Sequence, residues 1–74
     1  MENKETFSLR VHEKRKEAKF TIYELSEKCG ISPAAISLIE NGHSNNPLVE
    51  TVENLAKALD TSPIYLLGWE YQQR

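Results

Sequence analysis

Seventy-four residues, 39% hydrophobic and 27% charged with a formal net charge of −2, describe one small domain, residues 1–74, whose limited core suits a few short helices better than a sheet. No stretch is long and apolar enough to cross a membrane, and the opening MENKETFSLR lacks the hydrophobic run of a signal peptide, so a cytoplasmic chain with no membrane partner is expected. A single cysteine, Cys29, excludes an internal disulfide and agrees with a reducing compartment.

The apolar rhythm is helical nearly throughout, which predicts an all-α chain. A first helix can start at Glu5 or Thr6, and Phe7, Val11, Arg15 and Ala18 then share one face at spacings of four, four and three. The basic residues of this segment cluster at Arg10, Lys14, Arg15, Lys16 and Lys19. Residues 1–28 carry seven Lys or Arg against six Glu, whereas residues 29–74 carry two against five acids, so any attraction for phosphate is local rather than global.

Residues 21–42, TIYELSEKCGISPAAISLIENG, are the most informative segment. Thr21 and Glu24 form a capping-box pair that starts a second helix, 22–29. Gly30 is free to take the left-handed conformation that ends it. Ser32 then supplies a cap oxygen and Pro33 fits the first position of a third helix, 33–41, because its missing N–H would be unpaired there. Leu25, Cys29, Ile31, Ile36 and Ile39 fall on the inward faces, and small Ser26 sits where the two helices approach. Two helices bent around a glycine in this way form a helix-turn-helix, residues 22–41.

Asn41-Gly42 stops the third helix and HSNNP forms a polar loop. A fourth helix near 49–59 is predicted to turn Val49, Val52, Leu55, Ala56 and Leu59 inward. Asp60-Thr61-Ser62-Pro63 repeats the cap-then-proline signal for a short fifth helix through Leu67, ended by Gly68. Residues 69–74, WEYQQR, form a C-terminal tail.

Several residues invite a chemical reading and do not sustain one. Cys29 reads as a buried thiol rather than a nucleophile. His12 and His43 have no further ligand at a metal-binding interval, so no metal and no cofactor is expected. Glu50 and Glu53 are ordinary compensation of a helix N-terminus. No nucleophile stands with a base and an orienting partner, so the chain does not read as an enzyme.

Residues 10–68 resemble the Cro/cI-type helix-turn-helix family of phage and bacterial repressors. The resemblance rests on Ser26, Gly30, Ile36 and Glu40-Asn41-Gly42, then Asn46-Pro47, the run Leu55 to Leu59, and Leu66 to Gly68. It implies a compact five-helix, lambda-repressor-like DNA-binding domain. Such a domain regulates transcription, usually as a homodimer on a palindromic double-stranded DNA site, with the third helix in the major groove. Carried over position by position, the base-facing residues are Ser32, Pro33, Ala34, Ser37 and Leu38, with Ala35 close by.

The sequence departs from the family at these same positions. Ile22 stands where a phosphate-binding glutamine is frequent, and Pro33, Ala34 and Leu38 stand where Gln, Arg or Lys are common. Hydrogen-bonded readout of guanine or adenine needs such side chains, each good pair contributing about 1–3 kcal/mol of discrimination. Ser37 can donate or accept, whereas Ala34, Ala35 and Leu38 can only pack, for instance on thymine methyl groups, which predicts an A·T-biased site read partly through DNA shape. Helix N-termini, with Thr21, Tyr23, Asn41, His43, Ser44 and Asn45, could contact phosphates. The His-Ser-Asn loop reads equally as a solvated turn.

The resemblance also places Arg15 against Glu40 as a structural ion pair, the alternative being a DNA-facing arginine. Tyr65, Trp69 and Tyr71 are candidates for a two-fold interface, since aromatics are favoured there, with intrachain packing the competing reading for Trp69. A second class of function is a protein-interaction module on the same scaffold, an antitoxin or a subunit of a regulatory complex. The acidic balance and apolar third helix point toward it.

Overall fold

The described residues form five helices and no strand: α1 (Glu2–Glu17), α2 (Ile22–Cys29), α3 (Pro33–Glu40), α4 (Val49–Ala58) and α5 (Pro63–Leu67). The structure is a computed structural model that describes residues 2–43 and 47–69, with side chains from Thr6 onward. Ser44, Asn45, Asn46 and Tyr71 lie outside the described residues.

Local chemistry sets where the helices begin. The Thr21 hydroxyl accepts from the Glu24 N–H at 3.0 Å while the Glu24 carboxylate accepts from the Thr21 N–H at 2.8 Å, closing the capping box. Ser32 accepts from the Ala35 N–H and Ser62 from the Tyr65 N–H, each just before a proline. α4 differs, because its N-cap position is Leu48, which offers no side-chain acceptor.

Helix ends follow a shared device. After α1 the Phe20 N–H reaches back to the Arg15 carbonyl and the Lys19 N–H to the Lys16 carbonyl, with Lys19 at φ 63°; after α4 the same pair of bonds forms around Asp60 at φ 57°. These are Schellman closures carried by residues other than glycine. At Gly68 a glycine is required twice over. Its φ is 72°, and a Cβ there would stand 2.7 Å from the Thr6 side-chain methyl, so any larger residue is strained in its backbone and forces Thr6 on α1 to shift.

α1 packs on α3 and α5, α2 on α3 and α4, and α4 on α5, a closed circuit around one core. Val11, Leu25, Ile36, Leu55 and Leu66 are fully buried at its centre, joined by Phe7, Cys29, Ile39, Val52, Ala56 and Leu59. No described helix is long and apolar enough to cross a membrane.

Three boundary or face assignments from the sequence need correcting. α1 begins at Glu2 rather than at Glu5 or Thr6, since ENKE contains no proline or glycine to stop the helix growing backwards. Ala18 is exposed: the helix ends at Glu17 and the turn toward Lys19 carries it off the apolar face. Val49 is 74% exposed, because with Val52, Leu55, Ala56 and Leu59 inward it lies roughly 70° from the centre of that stripe at about 100° per residue.

Candidate nucleic-acid interface

α3 lies between α1 and α2, and its back is lost to the core: Ile36 is 0% and Ile39 4% exposed. With those two residues fixed inward, helical geometry turns Ala34, Leu38 and Asn41 outward, and all three are exposed, Leu38 by 54%. Pro33, Ala35 and Ser37 are half-buried at the edges of that face, and Ser32 is exposed at its head. The outer surface of α3 is therefore a short apolar strip with few hydrogen-bonding groups. The Ser32 hydroxyl is engaged in the cap, and the Asn41 amide donates to the Ser37 hydroxyl at 3.4 Å.

Half-buried Ile22 at the start of α2 lines a groove with Ser37 and Asn41, and exposed His43 lines another with Leu38, whereas Thr21 and Tyr23, the chain neighbours of Ile22, are exposed. Asn45 falls outside the described residues.

One cluster ties α3 to the rest of the protein. The Arg15 Nε donates to Glu40 Oε2 at 2.7 Å and its Nη2 to Glu40 Oε1 at 3.0 Å, with the two side chains only 11% and 6% exposed. Such a two-pronged guanidinium–carboxylate contact fixes orientation as well as distance. Arg15 also donates through Nη1 to the Phe20 carbonyl at 2.8 Å, so it clamps the α1–α2 connection and the end of α3 together. Burial pushes the Glu40 carboxyl up, but hydrogen bonds from Arg15 and His12 outweigh it and hold the group below its ordinary value. The Glu40 contact raises Arg15 further still, against its own burial.

Two members of this cluster are not assigned to it by the sequence, in which Ser8 passes unremarked and His12 is weighed only as a metal ligand. Ser8 donates its hydroxyl to the Glu40 carbonyl at 2.7 Å, and His12 Nδ1 lies 2.8 Å from Glu40 Oε1. The available signal was the spacing of Ser8, His12 and Arg15, four and then three, a polar stripe running beside Phe7 and Val11.

The basic cluster of α1 is mostly engaged within the protomer. The Arg10 guanidinium stacks over the Tyr65 ring at 4.2 Å and donates to the Tyr65 carbonyl at 2.6 Å, and the Lys14 ammonium lies 5.3 Å from the same ring. Lys14 also reaches Glu17 at 3.5 Å. Tyr65 is thus half-buried under two cations of its own chain, whereas Trp69 is 44% and neighbouring Ile64 46% exposed. Lys16 and Lys19 are exposed. Cys29 is buried, and desolvation pushes its thiol up, away from the reactive thiolate.

The sequence pattern described as helix-turn-helix matches residues 11–66. The chain is 32% identical over 63 residues to the HTH-type transcriptional regulator SinR of Bacillus subtilis, covering 85% of this chain and 57% of SinR. It is 40% identical over 55 residues to the HTH-type transcriptional repressor RghR of the same organism, covering 74% of this chain and 41% of RghR. A chain of the solved SinR protein/SinI protein complex superposes with a TM-score of 0.81 at 29% identity, over 92% of this chain and 66% of that one. The chain spans about half the length of the curated relatives it matches.

Proposed function

The chain belongs to the Cro/cI-type helix-turn-helix family, and we propose that it is a sequence-specific double-stranded DNA-binding regulator of transcription that docks α3 in the major groove. One observation carries this reading: α3 is an exposed rod whose buried back, Ile36 and Ile39, fixes which residues face outward. Residues 10–68 are the working unit and Ser32, Pro33, Ala34, Ala35, Ser37 and Leu38 the base-facing set.

The composition of that set decides what kind of sequence is read. Ala34 and Leu38 present methyl groups and no donors, so they match the thymine 5-methyl rather than guanine acceptors. The remaining discrimination comes from duplex shape. Backbone contacts come from the N-terminal turns of α2 and α3 together with Thr21, Tyr23, Asn41, His43 and Asn45, with Ile22 packing on the sugar-phosphate edge. A two-fold dimer would set two copies of α3 about 34 Å apart, one turn of the duplex, and call for a palindromic operator. Trp69, beside Ile64, offers apolar area for such a contact, and Tyr71 follows it in the chain.

Selection of bound duplexes from a random library tests the reading. The expected result is an A·T-rich consensus in two half-sites about one helical turn apart; a G·C-rich consensus contradicts the role given to Ala34 and Leu38.

The apolar face of α3 and the net charge of −2 favour one second reading, a protein-interaction module on this scaffold. Salt separates the two. A DNA complex weakens steeply as salt rises, with a slope set by the phosphates neutralised, and an apolar protein contact does not.

A further inference from the structure

A groove runs between α1 and α3, with Ser8, Leu9 and His12 contributed by α1 and Ser37, Glu40 and Asn41 by α3. Ile22, the first residue of α2, also lines it. The groove therefore opens beside the outer face of α3 on the side where α2 begins. His12 stands on its rim, with a side chain 46% exposed.

From this geometry we propose that His12 contacts a phosphate of the DNA backbone, and does so only in its protonated form. The inference rests on the reading of α3 as a DNA-docking element and assigns a further residue to that interface.

The tautomer supplies the argument. Glu40 is ionised, so the hydrogen in the 2.8 Å contact between His12 Nδ1 and Glu40 Oε1 belongs to the ring nitrogen. The Arg15 Nη2 also lies near Nδ1, but at 3.5 Å, too far to compete with the carboxylate. With its Nδ1 proton committed to Glu40, a neutral imidazole has only a lone pair at Nε2. Phosphate oxygens accept and do not donate, so the neutral ring makes no hydrogen bond to the backbone. Protonation places an N–H at Nε2 and adds a positive charge. His12 then bridges two anions, the Glu40 carboxylate behind it and a phosphate in front.

The groups that face the ring are few. From α3 there is Glu40, with neutral Ser37 and Asn41. From α1 there is Arg15, with exposed Glu13 and Lys16 adjacent in the helix. From α2 there is uncharged Ile22. A phosphate entering the groove is thus a second anion on the ring, and DNA binding is coupled to uptake of one proton.

Binding of a short synthetic A·T-rich duplex, followed by fluorescence anisotropy at about pH 8 and about pH 6 and over a salt series, tests the proposal. The expected affinity gain on acidification is about fivefold, the size of one charge-assisted contact at a half-exposed site. The salt slope should steepen by about 0.9, one additional phosphate. His43→Gln, which removes one of the backbone contacts proposed above, should weaken binding by the same factor at both pH values and so leave the pH ratio in place. His12→Gln should lose the affinity gain and the steeper salt slope with an unchanged melting temperature, and His12→Lys should bind tightly at either pH. A pH response that persists in His12→Gln, or disappears in His43→Gln, overturns the assignment of His12 alone. Absence of any complex at either pH overturns the DNA-docking reading along with it.

Discussion

Arg15→Ala lowers the melting temperature by on the order of 15 °C, the largest stability effect expected of any residue outside the apolar core. The guanidinium and the Glu40 carboxylate are 11% and 6% exposed, so deleting Arg15 removes two of the hydrogen bonds that compensate a carboxylate buried from water and leaves it the contact with His12. Breaking a buried pair in this way costs about 3–5 kcal/mol, a large share of what a domain of this size has to lose. The same deletion frees the Phe20 carbonyl, because Arg15 Nη1 is its donor. DNA affinity should fall with stability, since Glu40 ends the docking helix and its orientation is set by Arg15. Calorimetry and binding on one preparation check this. Lost binding with an unchanged melting temperature would instead make Arg15 a direct DNA contact.

Acid provides a second view of the same pair. The folded-state Glu40 value is depressed, so its stabilisation is fully present above the ordinary carboxylate range near 4.3 and is lost as pH falls through the lowered folded value. The stability gap between the wild-type protein and Arg15→Ala should therefore be constant near neutrality and shrink only in strong acid.

Leu38→Glu reduces DNA affinity about a hundredfold while leaving the fold intact, the largest functional effect expected of an exposed residue. Leu38 is 54% exposed, and substitutions at such positions usually move stability by no more than about 0.5 kcal/mol. What changes is the surface of α3. A carboxylate replaces an isobutyl group in the middle of the apolar strip, facing the anionic duplex. Leu38→Lys separates charge from shape: it should raise affinity for any duplex and erase the preference for A·T. Electrophoretic mobility shifts on A·T-rich and G·C-rich duplexes measure both. Undiminished binding by Leu38→Glu would remove this face from the interface.

The starts of α2, α3 and α5 are legible because their causes are local. Thr21 with Glu24, Ser32 with Pro33 and Ser62 with Pro63 act within one turn, so the residues that define each boundary are adjacent in the chain. The same holds for the inward phase of α2 and α3, where Leu25, Cys29, Ile36 and Ile39 leave no other packing. Phase alone does not say how far a face stays covered, which is why Val49 stands outside although the pattern turns it inward, and why Ala18, on the face shared with Phe7 and Val11, is exposed. Nor do Lys19 and Asp60 advertise a left-handed turn that glycine usually supplies.

The polar cluster was half legible. Arg15 interrupts an apolar face and so draws attention, and the family resemblance named Glu40 as its partner. Ser8 and His12 fall on one stripe with Arg15, but that they meet Glu40 follows from α1 crossing the end of α3, a tertiary fact that spacing alone does not give. The engagement of Arg10 and Lys14 with Tyr65 was hidden for the same reason, and it leaves Lys16 and Lys19 as the exposed basic residues at the end of α1.

The central claim concerns one surface, and amide chemical-shift mapping during titration with an A·T-rich duplex addresses it directly. The account expects the largest perturbations at Ala34, Ser37 and Leu38, with smaller ones at Thr21, Ile22 and His43, and little change along α4 and α5. Perturbations concentrated on α4 or α5, or an α3 face already silent because a second copy covers it, would contradict the claim that Pro33–Glu40 is the element that meets DNA.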